Sequence, residues 1–472
     1  MELKDRARSF CENPSAFFDY SNDRLQTLPK SELETLQLAA LQLRFEQLRP
    51  RIPALAKLAD KQKITEVHAF DDVVTLLFDH AMYKSYPPSL LHQGRFDQMT
   101  RWLDKLTVHD LSGVDARACR GVDDWLEVLR TQTPLSPCHT SGTSGSFSFL
   151  PWSKSEWSRF MRQYPTTHFQ RFGHPSKPEH PPLNVDAIYP YFRRGGISHI
   201  VTNDAIVEVI CGSEERFHPA YPGAVSSDMM LLAARVRAAK AKGELEKLQL
   251  PPELLARRDE FVKLQEEMPR HVARFFVEIS ERFRGKRVFL QAATRMIYEM
   301  AKSGLENGVK GLFAPDSIIC TGGGGKGIVL PPNWEDVVKE FVGVDYIRTS
   351  FGMSEMAGTW PLCSEGRFHA CPWVIPYMLD PVDGSPLPRK GTVTGRFAFY
   401  DLLPDTRWGG FITGDEVTMD WDTPCKCGRT TCHLDAKIQR FSEKTGEEDK
   451  ISCAAASEAY DEALEFLNDF HA

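Results

Sequence analysis

Apolar and polar positions keep a helical character over the first 115 or so residues. SELE, Ser31 to Glu34, reads as a capping box, and the helix-rich run LQLAALQLRFEQLRP follows it. LLFDHAMYKSYPPS, residues 76–89, is an apolar segment closed by a Tyr/Pro turn. From Ala187 the pattern changes. AIYPYF and HIVTNDAIVEVI are rich in β-branched and aromatic residues and predict strands. Residues 227–305 predict helix again, with alanine, leucine and alternating charge as in LLAARVRAAKAKGELEKL. A repeated order then sets in. DSIIC runs into TGGGGKG, VDYIRT runs into SFGMSE, and TVTGRFAFYD is followed by GFITGD. Strands that alternate with helices and end in small-residue loops predict an α/β architecture, with ligand loops at strand ends. HPSKPEHPP, residues 174–182, predicts an exposed loop.

Composition narrows the classes. A chain of 472 residues is too long for one small core and predicts more than one domain or subdomain. A hydrophobic content of 42% with 26% charge is that of a globular protein. The net charge of −7 leaves no global basic footprint for nucleic acid. No run of eighteen apolar residues occurs, so no membrane span is expected. MELKDRARSF has no apolar signal core, so a cytoplasmic protein is expected rather than a secreted one. Eleven cysteines, an odd number without a small disulfide framework, point to thiols in a reducing cytosol, some of them on metal.

The stretch HTSGTSGSFSFLPWS, His139 to Ser153, has two readings. It is either a flexible linker or a loop whose backbone N–H groups and hydroxyls wrap an anion, since glycine permits close approach. Three familiar motifs fail. TGGGGKG has dinucleotide spacing at Gly322, Gly324 and Gly327, but Pro331 and Pro332 hold back any helix to about Asn333. Lys326 is followed by Gly327, so there is no Walker A loop. GTSGS, residues 142–146, lacks the final glycine of a hydrolase elbow.

TSGTSG (140–145), CTGGGG (320–325), SFGMSE (350–355) and TGD (413–415) occur in that order. This ordered set resembles the adenylate-forming superfamily of acyl-CoA synthetases, with the phenylacetate–CoA ligase branch the most similar. It is also similar to the acyl-protein synthetases of bacterial luminescence. The resemblance covers roughly residues 40–450. It implies an N-terminal adenylate-forming domain of α/β subdomains with a small β-rich subdomain. The expected division is a helical part at 1–115, the core at 116–440 and a short remnant at 441–472.

The resemblance also implies a chemistry and a set of roles. Such enzymes join a carboxylate to the α-phosphate of ATP, which gives an acyl-adenylate and pyrophosphate. Thr140, Ser141, Gly142, Thr143, Ser144 and Gly145 would offer hydroxyls and N–H groups to the β- and γ-phosphates. That turns HTSGTSGSFSFLPWS from linker into phosphate loop. Gly323 and Gly324, within the glycine run 322–325, would pass close to the adenine and the acid. Phe351 would stack on adenine, or be a core aromatic. Gly352 belongs to the same turn, and Ser354 would lie beside the α-phosphate. Glu355 would hold Mg²⁺, because a hard cation takes carboxylate oxygen. Asp415 would accept from both ribose hydroxyls, or be a turn residue. Arg440, in KIQRF, stands about where the family has its arginine before the hinge.

The chain departs from the family in two respects. The Pro-Lys pair expected after the phosphate loop is replaced by SFSFLPWSK, which delays the lysine to Lys154. After Arg440 only 32 residues remain, so the lid domain with its catalytic lysine is expected to be truncated or absent. Cys453 in that tail is a further thiol that could accept an acyl group or simply pack. CSEGRFH and CKCGR supply Cys363, His369, Cys425 and Cys427, donors that suit a tetrahedral Zn²⁺. The resembled branch has a similar C-x5-H followed by CxCGR. Cys371, Cys432 and His433 are alternative donors.

The expected function is therefore ATP- and Mg²⁺-dependent activation of a carboxylic acid, handed to a thiol or amine such as CoA, a carrier protein or a small amine. The rivals are a full acid–CoA ligase and a non-catalytic nucleotide- or acyl-binding homologue that acts with a partner. The acid pocket is expected among residues 186–199 and 317–324, where Arg193 or Arg194 could meet a second polar group.

Overall fold

Five segments with the β-branched and aromatic content of strands pair in parallel. Their order is Phe217–Ala224, Asp186–Arg194, Val288–Ala293, Ile318–Gly322 and Arg348–Phe351, with the short Trp360–Pro361 antiparallel at the edge. The computed structural model describes residues 2–140, 147–248, 252–322 and 330–441. The middle strands are buried, as parallel strands covered by helices are. Gly322 stands opposite Ala293 on one side and Ser350 on the other, so three strands end together. Crevices at such carboxyl ends are where open α/β sheets bind ligands. The predicted α/β class is the one observed.

Helices Thr294–Glu306 and Trp334–Val342 pack on one another beside these strands. The second begins after Asn333, where Pro331 and Pro332 were expected to let it start. Gly304 makes their contact possible: a Cβ there would lie 2.2 Å from Cε2 of the fully buried Phe341. Gly304→Ala should therefore destabilise the protein by about 1–3 kcal/mol, the usual penalty of overpacking. Denaturant melts would show it, and Phe341→Leu in the same chain should restore part of the loss. An unchanged midpoint in Gly304→Ala would refute the tight crossing.

A second, antiparallel sheet has the order Arg367–His369, His433–Asp435, Gly410–Asp420, Thr392–Asp401 and Val374–Leu379. Phe78–Asp79 joins Gly410–Asp420 in parallel, and Gln439–Arg440 joins it antiparallel. The long helix Lys30–Leu48 is tied to this sheet by the buried Arg44, whose guanidinium donates to Leu402 O at 2.9 Å and Leu403 O at 3.3 Å. Among the described residues no helix is long and apolar enough to cross a membrane.

Several local expectations are corrected. Ser31 does not cap its helix. The helix starts at Lys30 with Pro29 before it, so Ser31 and Glu34 lie inside the first turns. Residues 76–89 form 3₁₀ turns, the two-residue strand Phe78–Asp79 and the short helix start at Pro88. HIVTNDAIVEVI is helical, not a strand, over Ser198–Val201, Asn203–Ile206 and Val207–Cys211. Its buried Val201, Ala205 and Val209 recur every four residues, as do Ile206 and Ile210. That helical face outweighs β propensity. Within 227–305 the strand Val288–Ala293 interrupts the predicted helix. A strand buried on both faces reads as an apolar run and loses its alternation.

Candidate functional site

The first motif grows from a small hairpin. Cys138–His139 pairs antiparallel with Phe149–Leu150. Thr140 N–H donates to Ser148 O, and Ser148 N–H to Thr140 Oγ1, both at 3.1 Å. Ser141, Gly142, Thr143, Ser144 and Gly145 lie outside the described residues. The hairpin root is anchored through His139, which is fully buried and stacks on Phe147 at 4.0 Å. Burial pushes its pKa down to about 4, so the ring is neutral. Nδ1–H can then donate to Thr140 O at 2.8 Å while Nε2 accepts from Ser227 Oγ at 3.0 Å. His139 N–H also donates to Gly196 O at 2.8 Å, which brings the root beside Ile197 and Ser198. The delayed Lys154 is held elsewhere by backbone carbonyls. Its ammonium donates to Arg130 O at 2.7 Å and Thr133 O at 3.3 Å, at the end of helix Val122–Gln132.

The third motif follows strand Arg348–Phe351. Its turn is held through its backbone by distant side chains. Trp152 Nε1–H donates to Ser354 O at 3.0 Å, and Arg407 Nη1–H donates to Glu355 O at 3.2 Å. The buried Asp401 accepts from Ala357 N–H, and Ser198 Oγ meets Ser354 Oγ at 2.7 Å. Arg407 is itself fixed. It lies 4.2 Å over the Trp152 ring, and its Nε is 3.6 Å from Glu156 Oε2, with both side chains 1% exposed. Glu156 in turn accepts from the N–H groups of Asp405 and Thr406 at 3.0 and 2.9 Å. The long-range hydrogen bonds that brace the Glu355 turn run through its backbone and Ser354 rather than through the Glu355 carboxylate.

Asp415 and Arg440 come from the second sheet. Arg396 pairs with Glu416 but Ala398 pairs with Ile412, so one strand passes three residues where its neighbour passes one. The bulge contains Thr413, Gly414 and Asp415. Thr413 Oγ1 donates to Phe397 O at 2.7 Å and accepts from Asp415 N–H at 3.1 Å. Bulges of this kind re-aim side chains beside functional sites. Asp415 is therefore not a hairpin-turn residue but a mid-strand one. It stands opposite Arg440, whose Nε is 3.9 Å from Asp415 Oδ1. Burial raises the Glu355 pKa to about 7; the charges of Arg407 and Arg440 pull it down and that of Asp415 pushes it up. The third and fourth motifs share one electrostatic neighbourhood.

For the second motif, Gly322 ends its strand beside Ser350, while Gly323 and Gly324 lie outside the described residues. Phe351 is half-buried, with its ring centroid 5.7 Å from Phe397, 6.0 Å from Phe368 and 6.1 Å from Trp360. Gly352 is exposed. Arg193 is buried, bridged to Glu214 at 2.6 Å and Asp204 at 2.8 Å, and lies over Phe217, so its charge is occupied by the fold.

Cys363, His369, Cys425 and Cys427 come together with all four donor atoms within 4.8 Å of one another. Cys363 Sγ and Cys425 Sγ are 3.8 Å apart, and Cys427 Sγ is 3.4 Å from His369 Nε2. His369 Nδ1 faces Thr431 O and Oγ1 at 3.2 Å. Cys371 is elsewhere, with its thiol on Thr359 O at 3.0 Å, and Cys432 and His433 are not in the cluster. Sequence reading missed Arg407, Glu156, Asp401 and Trp152. The only trace of Arg407 was a single positive charge in the largely apolar stretch LLPDTRWGGFI.

No protein-family model and no curated protein matches the chain. Among solved structures, it is similar to 2-hydroxyisobutyryl-CoA ligase in complex with 2-HIB-AMP and CoA in the thioesterification state. Identity there is 14%, over 88% of this chain and 70% of that one, with a TM-score of 0.48. It is similar to ATP-bound MatB from Rhodopseudomonas palustris at 15% identity, over 66% of this chain and 48% of that one, with a TM-score of 0.32. A luciferase-like enzyme from the nonluminescent mealworm Zophobas morio matches at 11% identity, over 64% and 57%, with a TM-score of 0.32. At these scores, what the chain does has to be read from its own side chains.

Proposed function

We propose that the protein uses ATP and Mg²⁺ to activate a carboxylic acid as its acyl-adenylate, and passes the acyl group to a thiol or amine. The observation that carries this reading is the convergence of four separated motifs. The root at Thr140 sits by Gly196 to Ser198, Ser198 touches Ser354, Gly322 adjoins Ser350, and Asp415 acts on Glu355. In the first step a carboxylate oxygen of the acid attacks the α-phosphorus, and the bond to pyrophosphate breaks. In the second the thiol or amine attacks the acyl carbon and AMP leaves. Catalysis of such phosphoryl chemistry rests on placement and charge, not on an enzyme nucleophile.

Each side chain has a part in this scheme. Asp415 offers two acceptor oxygens to the ribose hydroxyls, and Arg440 opposite it holds that carboxylate and adds positive charge near the phosphates. Ser354 directs its hydroxyl toward the α-phosphate. Phe351, packed against Phe397, Phe368 and Trp360, would offer the exposed part of its ring to adenine, and the exposed Gly352 would leave room beside it. Glu355 suits Mg²⁺, since it is a single half-buried carboxylate whose charge is costly to keep without a cation. The ion would shield the phosphates. Thr140 and the neighbouring residues 141–145 would offer N–H groups and hydroxyls to the β- and γ-phosphates, and Gly323 and Gly324 would leave room for adenine and the acid.

Zn²⁺ fits the Cys/His cluster on geometry. Bonds of about 2.3 Å to sulfur in a tetrahedron put two sulfurs about 3.8 Å apart. The Cys363–Cys425 separation is 3.8 Å. The Thr431 carbonyl on Nδ1 leaves Nε2 for the metal, a typical outer partner for a ligating histidine. Four protein donors leave no open position, so the role is structural.

The test is hydroxylamine trapping with pyrophosphate release across a panel of carboxylic acids, with ATP and Mg²⁺. We expect a hydroxamate and equimolar pyrophosphate from a subset of acids. Tight ATP binding with no acid-dependent pyrophosphate from any class of acid would make the chain a nucleotide-binding partner instead.

A further inference from the structure

A small cavity of about 20 Å³ lies against strand Arg348–Phe351, with Ser350 of the third motif in its lining. Arg171, Arg348 and Arg429 line it, with Tyr346, Thr349 and His168. Tyr346 carries two guanidinium groups, Arg171 at 4.8 Å and Arg348 at 4.9 Å from its ring centroid. Arg348 Nε–H donates to His168 O. Arg429 lies 4.5 Å over Phe172 and is only 6% exposed.

Three cations so close should repel, and little opposes them. Asp345 lies 3.2 Å from Arg171, but its side chain is 80% exposed, where solvent weakens the pair. Among the described residues no carboxylate lies within ion-pair distance of Arg348 or Arg429. Arg429 Nη1–H donates to Cys427 Sγ at 3.8 Å, and Asp345 is the acid that acts on Arg348. His168 adds no negative charge; burial, then Arg348, drive its pKa down to about 3. Two buried polar atoms of lining residues also lack a protein partner, Arg429 Nε and Thr349 Oγ1. Buried polar groups rarely stay unpaired, and both of these can donate. A cavity needs about 10–15 Å³ for one water-sized occupant, so this one has room for a single small particle.

We propose that the cavity binds one monovalent anion of halide size, held by Arg171, Arg348 and Arg429. An anion there offsets the mutual repulsion of the three guanidinium groups, which Asp345 and the Cys427 sulfur otherwise oppose only in part. It also stands between two functional parts. Arg429 is two residues beyond Cys427 of the metal cluster, and Arg348 opens the strand that leads into Glu355. The inference is independent of the proposed adenylation.

The test has a crystallographic arm and a solution arm. Crystals of the full chain grown or soaked in bromide should show an anomalous peak in the cavity. In solution, replacing gluconate by chloride at constant ionic strength should raise the melting temperature along a saturable curve, by a few degrees as ligand linkage predicts. Arg171→Gln, at a partly exposed position that leaves the buried arginines in place, should flatten that curve. No anomalous peak, with identical chloride and gluconate melts, would overturn the proposal and leave an ordered water as the occupant. A chloride response equal in wild type and Arg171→Gln would equally overturn it, since general salt effects would then suffice.

Discussion

Glu355→Gln should lower acid-dependent pyrophosphate release by about two to three orders of magnitude, the usual loss when a charge-stabilising group leaves a closed site. Its melting temperature should hold or rise. The carboxylate is raised to about 7 by burial, so its charge is costly to the fold, and the loop is braced through its backbone rather than through this side chain. Asp415→Ala should act differently. Losing a charge-assisted pair of hydrogen bonds to the ribose should raise the apparent KM for ATP about ten- to a hundredfold, with a smaller effect on the rate at saturation. Ala also leaves Arg440 without its cross-strand partner, so Asp415→Asn is the control that keeps the shape of the bulge. Wild-type pyrophosphate release in both Glu355→Gln and Asp415→Ala, measured with the true acid, would remove the site from this part of the molecule.

The second large effect concerns the metal. Protein purified without chelator should carry about one zinc per chain, as four protein donors bind one tetrahedral ion. Cys425→Ser should lose most of that zinc and several degrees of melting temperature, because the binding energy of a structural ion is folding energy. The loss has a clear path. The cluster joins the segment around His369 to the segment 425–427, and strand Arg367–His369 pairs with His433–Asp435 at the edge of the second sheet. Without the ion those loops lose their staple. Cys371→Ser is the matched control, since that thiol bonds to Thr359 O outside the cluster. It should keep full zinc. Metal-free wild-type protein of undiminished stability would exclude a structural site.

The two variants also separate the two halves of the reading. Glu355→Gln is expected to change rate and spare stability, whereas Cys425→Ser is expected to change stability first. A chain in which both variants unfold alike would place Glu355 in the fold rather than in a reaction.

Residue type and order, read along the chain, were enough for the α/β class and for the helix delayed to Asn333 by two prolines. They were enough for strands leading into the two glycine-containing turns, though each strand ends two residues later than DSIIC and VDYIRT suggested. With the family resemblance added, they were enough to pick Cys363, His369, Cys425 and Cys427 as the residues that come together, because thiols and an imidazole announce their chemistry wherever they lie. They misread Ser198–Cys211 as strand and Val288–Ala293 as helix, because burial on several sides erases the local pattern that separates the two. What only the tertiary structure decided is where those groups point. The bulge that carries Asp415 depends on pairing with a strand ahead of it in the chain, and the brace on the Glu355 turn comes from Trp152, Ser198, Asp401 and Arg407. Those contacts join residues up to about two hundred positions apart, and no local spacing records a hydrogen bond that forms only when distant elements pack.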